Sequence, residues 1–142
     1  ALRRARVCYD HLAGELGVLA YEGLLQRKLL QQLEAGPVLT DIGRQWFHQI
    51  GIDPDALALQ RRSYCRACLD WSERRHHLAG ALGAALFVRI QELGWARCVA
   101  DSRVVAFTTA GERSFRAWFQ PSSDEPLSHP ADIETTTLDA LA

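Results

Sequence analysis

Two pairs of residues in this chain have side chains suited to metal binding or nucleophilic chemistry. His11 follows Cys8 by three positions, and His77 follows Cys68 by nine. Cysteine thiolates and neutral imidazoles are the usual ligands of tetrahedral zinc. If the two pairs meet in the fold, Cys8, His11, Cys68 and His77 form a Cys2His2 set, and zinc is the cofactor that such a set would take.

Both pairs belong to an internal repeat. The heptapeptide His11–Gly17 recurs as His77–Gly83 with six identical residues in seven, and a Cys-x-Asp tripeptide precedes each copy, at Cys8–Asp10 and Cys68–Asp70. Glycine inside a helix costs roughly 1 kcal/mol relative to alanine, so the repeated spacing of small residues favours close packing that compensates over glycines that only kink or end helices. We therefore expect the two copies to pack on each other, and the pairs meet if the two helices run parallel or cross near their N-terminal ends.

The same residues also have a plainer interpretation, which the sequence favours. Free cysteines are often small buried hydrophobes, and the histidines would then cap helices or line a pocket. The two Cys–His spacings lack the regularity of a zinc finger, and Cys65-x-x-Cys68 is a lone pair. A zinc-stapled structural domain stays an alternative. The residues that we expect to line a ligand pocket are Cys8, His11, Cys68, Trp71, Arg74, Arg75 and His77.

An enzymatic function is not predicted. Cys68 with His76 or His77 is the one candidate pair of nucleophile and base. The chain lacks a Gly-x-Ser-x-Gly elbow, a phosphate loop, a dinucleotide fingerprint and a His-Glu-x-x-His motif. No catalytic residue is therefore assigned.

Composition indicates a cytoplasmic globular protein. The 142 residues are 48% hydrophobic and 23% charged, with no apolar run long enough for a membrane span and no signal peptide. Four cysteines without a disulfide framework fit a reducing compartment. Residues 1–119 carry 16 basic and 12 acidic side chains, whereas residues 120–142 carry five acids and no base. That excess is too mild to indicate DNA binding by charge alone.

Hydrophobic spacing predicts mostly helices. Residues 2–34 and 76–93 have apolar side chains three to five positions apart, and Asp10 is placed to cap a helix that starts near Leu12. Further helices are predicted at 41–50, after a Thr40 cap, and at 110–119, after Thr108 or Thr109. Residues 95–99 and 104–108 are predicted to form a β-hairpin.

The predicted fold is therefore mainly α with short β-hairpins, built from tandem pseudo-duplicated partial winged-helix units. The predicted boundaries are a first repeat at 1–60, a second at 61–119, and an acidic tail rich in Pro, Ser and Thr at 120–142.

Several motifs resemble one group of bacterial ArsR-type winged-helix transcriptional regulators. They are Cys8–Gly14, Leu39-Thr40-x-x-Gly43, Cys68–Gly80 and Phe107-Thr108-x-x-Gly111. In that group an N-terminal winged helix-turn-helix domain, absent here, precedes these motifs. The resemblance implies an effector-sensing or dimer-supporting C-terminal domain of a homodimeric repressor, which reaches DNA through that missing domain and responds to a small-molecule or metal effector.

A second function stays open, in which this chain touches DNA itself. The predicted hairpin would then act as a wing, with Arg97 and Arg103 as its DNA contacts. The nine residues 84–92 leave no room for a separate reading helix, so insertion of a helix into the major groove is not expected.

Overall fold

The structure is a computed structural model that describes residues 1–120, so most of the predicted tail lies outside the described residues. The described part contains four two-stranded antiparallel hairpins and five α-helices. The elements are β1 (Arg6–Cys8), β2 (His11–Ala13), α1 (Glu15–Gln26), β3 (Leu30–Leu33), β4 (Gly36–Leu39), α2 (Asp41–Gln49), α3 (Pro54–Ala58), β5 (Arg66–Asp70), β6 (Arg75–Ala79), α4 (Gly80–Glu92), β7 (Ala96–Cys98), β8 (Val105–Phe107) and α5 (Thr109–Phe119).

The prediction of a mainly α fold made of partial winged-helix units is wrong. Helices hold 42% of the described residues and strands 26%. The hairpin β1–β2 and the strand β3 lie within the segment 2–34 that is predicted to be helical, and β6 occupies the first residues of the predicted helix 76–93. The chain is therefore a mixture of helices and small antiparallel hairpins.

The glycines of the repeat explain why the helix prediction fails. Gly14 and Gly80 have φ values of 84° and 79°, a region that glycine adopts without strain, and each turns the chain from a strand into a helix. Leu12 and Leu16 are spaced like neighbours on a helix but lie on opposite sides of this turn. Asp10 lies in the tight turn between β1 and β2, not at a helix cap.

The remaining local predictions are largely confirmed. The Thr40 hydroxyl accepts a hydrogen bond from the Gly43 N–H at 3.0 Å and caps α2. The Thr108 hydroxyl accepts one from the Gly111 N–H at 2.8 Å and caps α5. The predicted hairpin is present as β7–β8.

The order hairpin, helix, hairpin, helix occurs twice along the chain, with the short α3 between the two series. Helix α1 contacts β6, and α4 contacts β2, so a hairpin of each half also packs on a helix of the other half. The boundaries 1–60 and 61–119 stay a prediction. None of the helices in residues 1–120 has the length and apolar character needed to cross a membrane.

Aromatic side chains fill the shared core. Trp46 and Trp118 are buried with edge-on rings whose centres are 5.5 Å apart. Trp71, by contrast, is 75% exposed. Large side chains from both halves are therefore excluded from water in one cluster, which is the main stabilising contribution in a domain of this size.

Strand β1 also contacts the hairpin β7–β8. The Val7 N–H donates to the Arg103 carbonyl at 2.8 Å, and the Val105 N–H donates to the Ala5 carbonyl at 3.1 Å. Strand β1 is therefore bonded to β2 on one edge and to the second half of the chain on the other.

Candidate metal centre

The structure brings the four predicted ligands together. The ligand atoms of Cys8, His11, Cys68 and His77 all lie within 4.8 Å of one another. Within each hairpin the cysteine and the histidine are direct cross-strand partners, Cys8 opposite His11 and Cys68 opposite His77. The repeated sequence therefore places one Cys–His pair on each of two adjacent hairpins.

Two helix glycines lie against the histidine strands. A Cβ atom added at Gly17 would lie 3.5 Å from the Cβ of His77, and one added at Gly83 would lie 3.4 Å from the Cβ of His11. Each helix of the repeat therefore packs against the histidine strand of the opposite hairpin. This reciprocal contact is the close packing that the small residues of the repeat indicated.

The two histidines face each other inside the protein. They are 5% and 1% exposed, and the Nε2 atoms of His11 and His77 are 3.0 Å apart. The Nδ1 atom of His77 is 3.1 Å from a carboxylate oxygen of Asp70, and that of His11 is 3.4 Å from one of Asp10. Carboxylates favour the tautomer in which Nδ1 carries the proton, which directs both Nε2 lone pairs toward the same point.

Asp70 is the anchor of this arrangement. It is fully buried and accepts hydrogen bonds from the Ser72 hydroxyl at 2.7 Å, the Gly14 N–H at 2.7 Å and the Arg6 guanidinium at 3.0 Å. Burial alone would raise the pKa of Asp70, but these bonds, with one from the Glu73 N–H, hold it well below its usual range. The carboxylate is therefore ionised beside His77.

The electrostatics keep the histidines in the form that binds metals. Burial, with the neighbouring His11, lowers the pKa of His77 to about 4, and burial also lowers the pKa of His11. The pKa of Cys68 is raised by burial and by Cys8 beside it. Two neutral imidazoles and two thiols in contact form a donor set that a cation can bind by displacing the thiol protons.

The other predicted pocket residues are not part of this cluster. Trp71 and Arg74 lie in the turn between β5 and β6, and Arg75 pairs with Glu22 at 2.9 Å. None of these three predicted residues lines the cavity beside the cysteines. Cys65 is also separate, and burial raises the pKa of its thiol to about 12.

The two predicted wing arginines lie on or beside the hairpin β7–β8. Arg97 is exposed on β7, and Arg103 precedes β8 with its backbone bonded to Val7. The Arg103 Nε atom also lies 3.5 Å from the Val7 carbonyl. The tip of this hairpin is therefore attached to strand β1.

Sequence reasoning missed the roles of Asp10 and Asp70. It noted the repeated Cys-x-Asp tripeptide but assigned Asp10 to a helix cap. A histidine that binds a metal usually donates its other N–H to a carboxylate, so an aspartate repeated near each Cys–His pair was the available signal.

The fold and this cluster define a mixed α and β chain with a candidate Cys2His2 centre. Over 114 residues the chain is 40% identical to a protein of Bacillus subtilis (strain 168) named "Uncharacterized HTH-type transcriptional regulator YdfF". The match covers 80% of this chain and 50% of that protein, so the chain spans half the length of this relative. No protein-family model and no solved structure matches the chain.

Proposed function

We propose that this chain is the regulatory part of a DNA-binding transcriptional regulator and that its four-residue cluster holds a zinc ion. The similarity to a regulator of HTH type supports the first statement. One observation carries the second: two buried imidazoles, each with Nδ1 facing a carboxylate, direct their Nε2 atoms at each other beside two thiols.

The donor set fits zinc in number and kind. Zinc forms bonds of about 2.0–2.3 Å to nitrogen and sulfur in a tetrahedron, which places its ligands about 3–4 Å apart. The four atoms of the cluster lie within 4.8 Å of one another, so small side-chain rotations close them around one ion. The paired aspartates supply the outer hydrogen bonds that such histidines require.

A metal at this place would join the two halves of the chain. Cys8 and His11 come from the first half, whereas Cys68 and His77 come from the second. Strand β1, which ends at Cys8, is bonded through Val7 to Arg103 in the second half. Metal binding would therefore fix the position of strand β1 and, through it, that of the hairpin β7–β8. This connection would carry the effect of a bound metal to the rest of a homodimeric regulator.

Metal analysis of the purified chain tests the zinc centre. We expect about one zinc ion per chain after dialysis without chelator, and loss of that zinc in Cys68→Ser and His77→Ala. Cys98→Ser is the matched control, because Cys98 is exposed and outside the cluster. A content below about a tenth of an ion per chain, unchanged after incubation with zinc, would contradict the proposal.

A DNA-binding assay tests the regulatory assignment against the DNA-contacting alternative. For the chain alone we expect weak binding that does not depend on Arg97 or Arg103. Tight binding that falls steeply with salt and is lost in Arg97→Ala and Arg103→Ala would replace the regulatory role with direct DNA contact.

A further inference from the structure

We propose that the cleft beside the cysteines binds a small oxyanion, a carboxylate or a phosphate, with Arg66 as its main ligand. The inference rests on the proposed zinc centre, because it places the anion next to thiolates that a cation has neutralised.

The cleft lies on the sulfur side of the cluster. Cys8 and Cys68 are half-buried and line it, whereas His77 is fully buried behind them. Its volume is about 440 Å³, which is within the range of pockets that hold small molecules. Two arginines, Arg62 and Arg66, and one carboxylate, Asp10, are also among the lining residues. The open face of the cluster therefore carries one net positive charge.

Arg66 differs from its counterpart in the first hairpin. Arg6 stands opposite Ala13, and Arg66 stands opposite Ala79, at matching positions of the two hairpins. The Arg6 guanidinium donates to Asp70 at 3.0 Å and to Ser72 at 3.1 Å. The backbone of Arg66 pairs with that of Ala79, but its exposed guanidinium makes no hydrogen bond or ion pair with any residue in the described range 1–120.

The shorter turn of the first hairpin explains this difference. The counterpart of Asp70 is Asp10, which sits in a two-residue turn and is bonded at 2.7 Å to Arg62. The other oxygen of Asp10 faces His11. Asp10 is therefore occupied, and the charge of Arg66 is left without an acidic partner on the wall of the cleft.

The charge balance favours a single small anion. A zinc ion with two thiolates and two neutral imidazoles has no net charge. The Arg62 and Asp10 charges cancel, which leaves the positive charge of Arg66 on the wall of the cleft that Cys68 and His11 also line. A guanidinium binds the two oxygens of a carboxylate or phosphate through parallel N–H bonds, which a halide cannot match.

Calorimetric titration of the zinc-loaded chain tests the inference. Inorganic phosphate and acetate are titrated separately at constant ionic strength, with chloride as the balancing anion, so that the two sources of oxyanion are distinguished. We expect saturable binding of at least one of them and a loss of affinity of about tenfold or more in Arg66→Ala.

Two further variants control this experiment. Arg61→Ala removes an exposed arginine that does not line the cleft. The affinity of this variant for the anion is expected to stay within about twofold of that of the parent chain. Arg66→Lys keeps the positive charge but loses the two parallel N–H groups of the guanidinium, so its affinity for the anion is expected to lie between those of the parent and Arg66→Ala. Zinc content and circular dichroism confirm that each variant is folded.

The possible failures are distinguishable. A zinc-loaded chain that binds neither anion, or that binds equally well after Arg66→Ala, would overturn this inference and leave the zinc centre standing. A chain that takes up no zinc would overturn both.

Discussion

The Nε2 atoms of His11 and His77 lie 3.0 Å apart, and the Nδ1 atom of each ring faces the carboxylate of an aspartate. Two lone pairs directed at each other repel unless a proton or a metal ion lies between them. Because burial lowers the pKa of both imidazoles, an added proton is a poor occupant near neutral pH. A neutral ring that carries its proton on Nε2 instead loses the hydrogen bond from Nδ1 to its aspartate. A thiophilic cation between the rings would accept both lone pairs and would also bind the two cysteine thiolates.

Replacing Asp70 is expected to weaken both the fold and the metal centre. Asp70→Ala leaves the Arg6 charge and several buried donors without a partner, so we expect a loss of about 3 kcal/mol in the free energy of unfolding. Zinc affinity should fall by about 10- to 100-fold, since His77 loses its anchor. Urea denaturation and a competition titration with a chromophoric chelator measure the two effects.

Ser72→Ala is the matched comparison for Asp70. It removes the hydroxyl donor to that carboxylate and should cost about 1 kcal/mol with little change in zinc affinity. An Asp70→Ala chain with the zinc affinity of the parent would show that the carboxylate does not position His77.

Filling the helix glycines is expected to destabilise the chain. A Cβ at Gly17 would lie 2.5 Å from the Leu12 carbonyl oxygen, and one at Gly83 would lie 2.5 Å from that of Leu78. We expect Gly17→Ala and Gly83→Ala to lower the unfolding free energy by about 2 kcal/mol or more, although alanine is the better helix former by roughly 1 kcal/mol. Thermal and urea unfolding measure the change.

Val88→Ala provides the control for the glycine variants. Val88 is 52% exposed on α4, so its truncation should change the unfolding free energy by less than about 0.5 kcal/mol. A Gly83→Ala chain as stable as the parent would contradict the close contact between α4 and the Leu78 carbonyl of β6.

Thiol alkylation is expected to sort the four cysteines. In the zinc-loaded chain, iodoacetamide should modify the exposed Cys98 rapidly and spare the other three. A chelator should then expose Cys8 and Cys68 to the reagent, while Cys65 stays slow because burial raises its pKa to about 12. Peptide mass spectrometry reads the pattern. Protection of Cys8 and Cys68 that persists in the chelator would indicate burial alone.

The ion pair at Glu112 is expected to give a small pH-dependent stabilisation. Hydrogen bonds from Arg4 lower the pKa of Glu112 in the folded chain, with a further bond from Arg116 at 3.0 Å. Its contribution is therefore complete above the ordinary carboxyl pKa and is lost as the pH falls through the lowered value. Because the pair is partly exposed, we expect Glu112→Gln to cost less than about 1 kcal/mol at neutral pH.

Urea unfolding at about pH 7 and about pH 3 checks the direction of this pH dependence. The difference in unfolding free energy between Glu112→Gln and the parent should shrink at the lower pH. A difference that grows on acidification would contradict the assignment.

The local signals in the sequence predicted much of the fold. Thr40 and Thr108 are followed three positions later by glycines whose N–H groups they accept, and that pattern located both helix starts. The strands β1 and β2 were missed because three residues are too few to show a period of two, and Leu12 and Leu16 happened to match a helical spacing.

The ligand set was predictable, but its geometry was not. The repeat identified Cys8, His11, Cys68 and His77 as equivalent pairs. Their convergence depends on hairpin register and on each hairpin packing on the other half's helix, which are long-range properties that one sequence does not encode visibly. The guanidinium of Arg66 lacks an acidic partner because the turns of the two hairpins differ in length, and the sequence alone did not indicate this either.

The exchange of hairpins between the halves has a consequence for how the chain can be divided. Strand β2 of the first half contacts α4, and β6 of the second half contacts α1, so each half leaves an apolar surface that its partner must cover. Residues 1–60 and 61–120, made as separate polypeptides, are therefore expected to be unstable alone and to restore the native fold when mixed. The chain would then be equivalent to two complementary fragments joined by one covalent link.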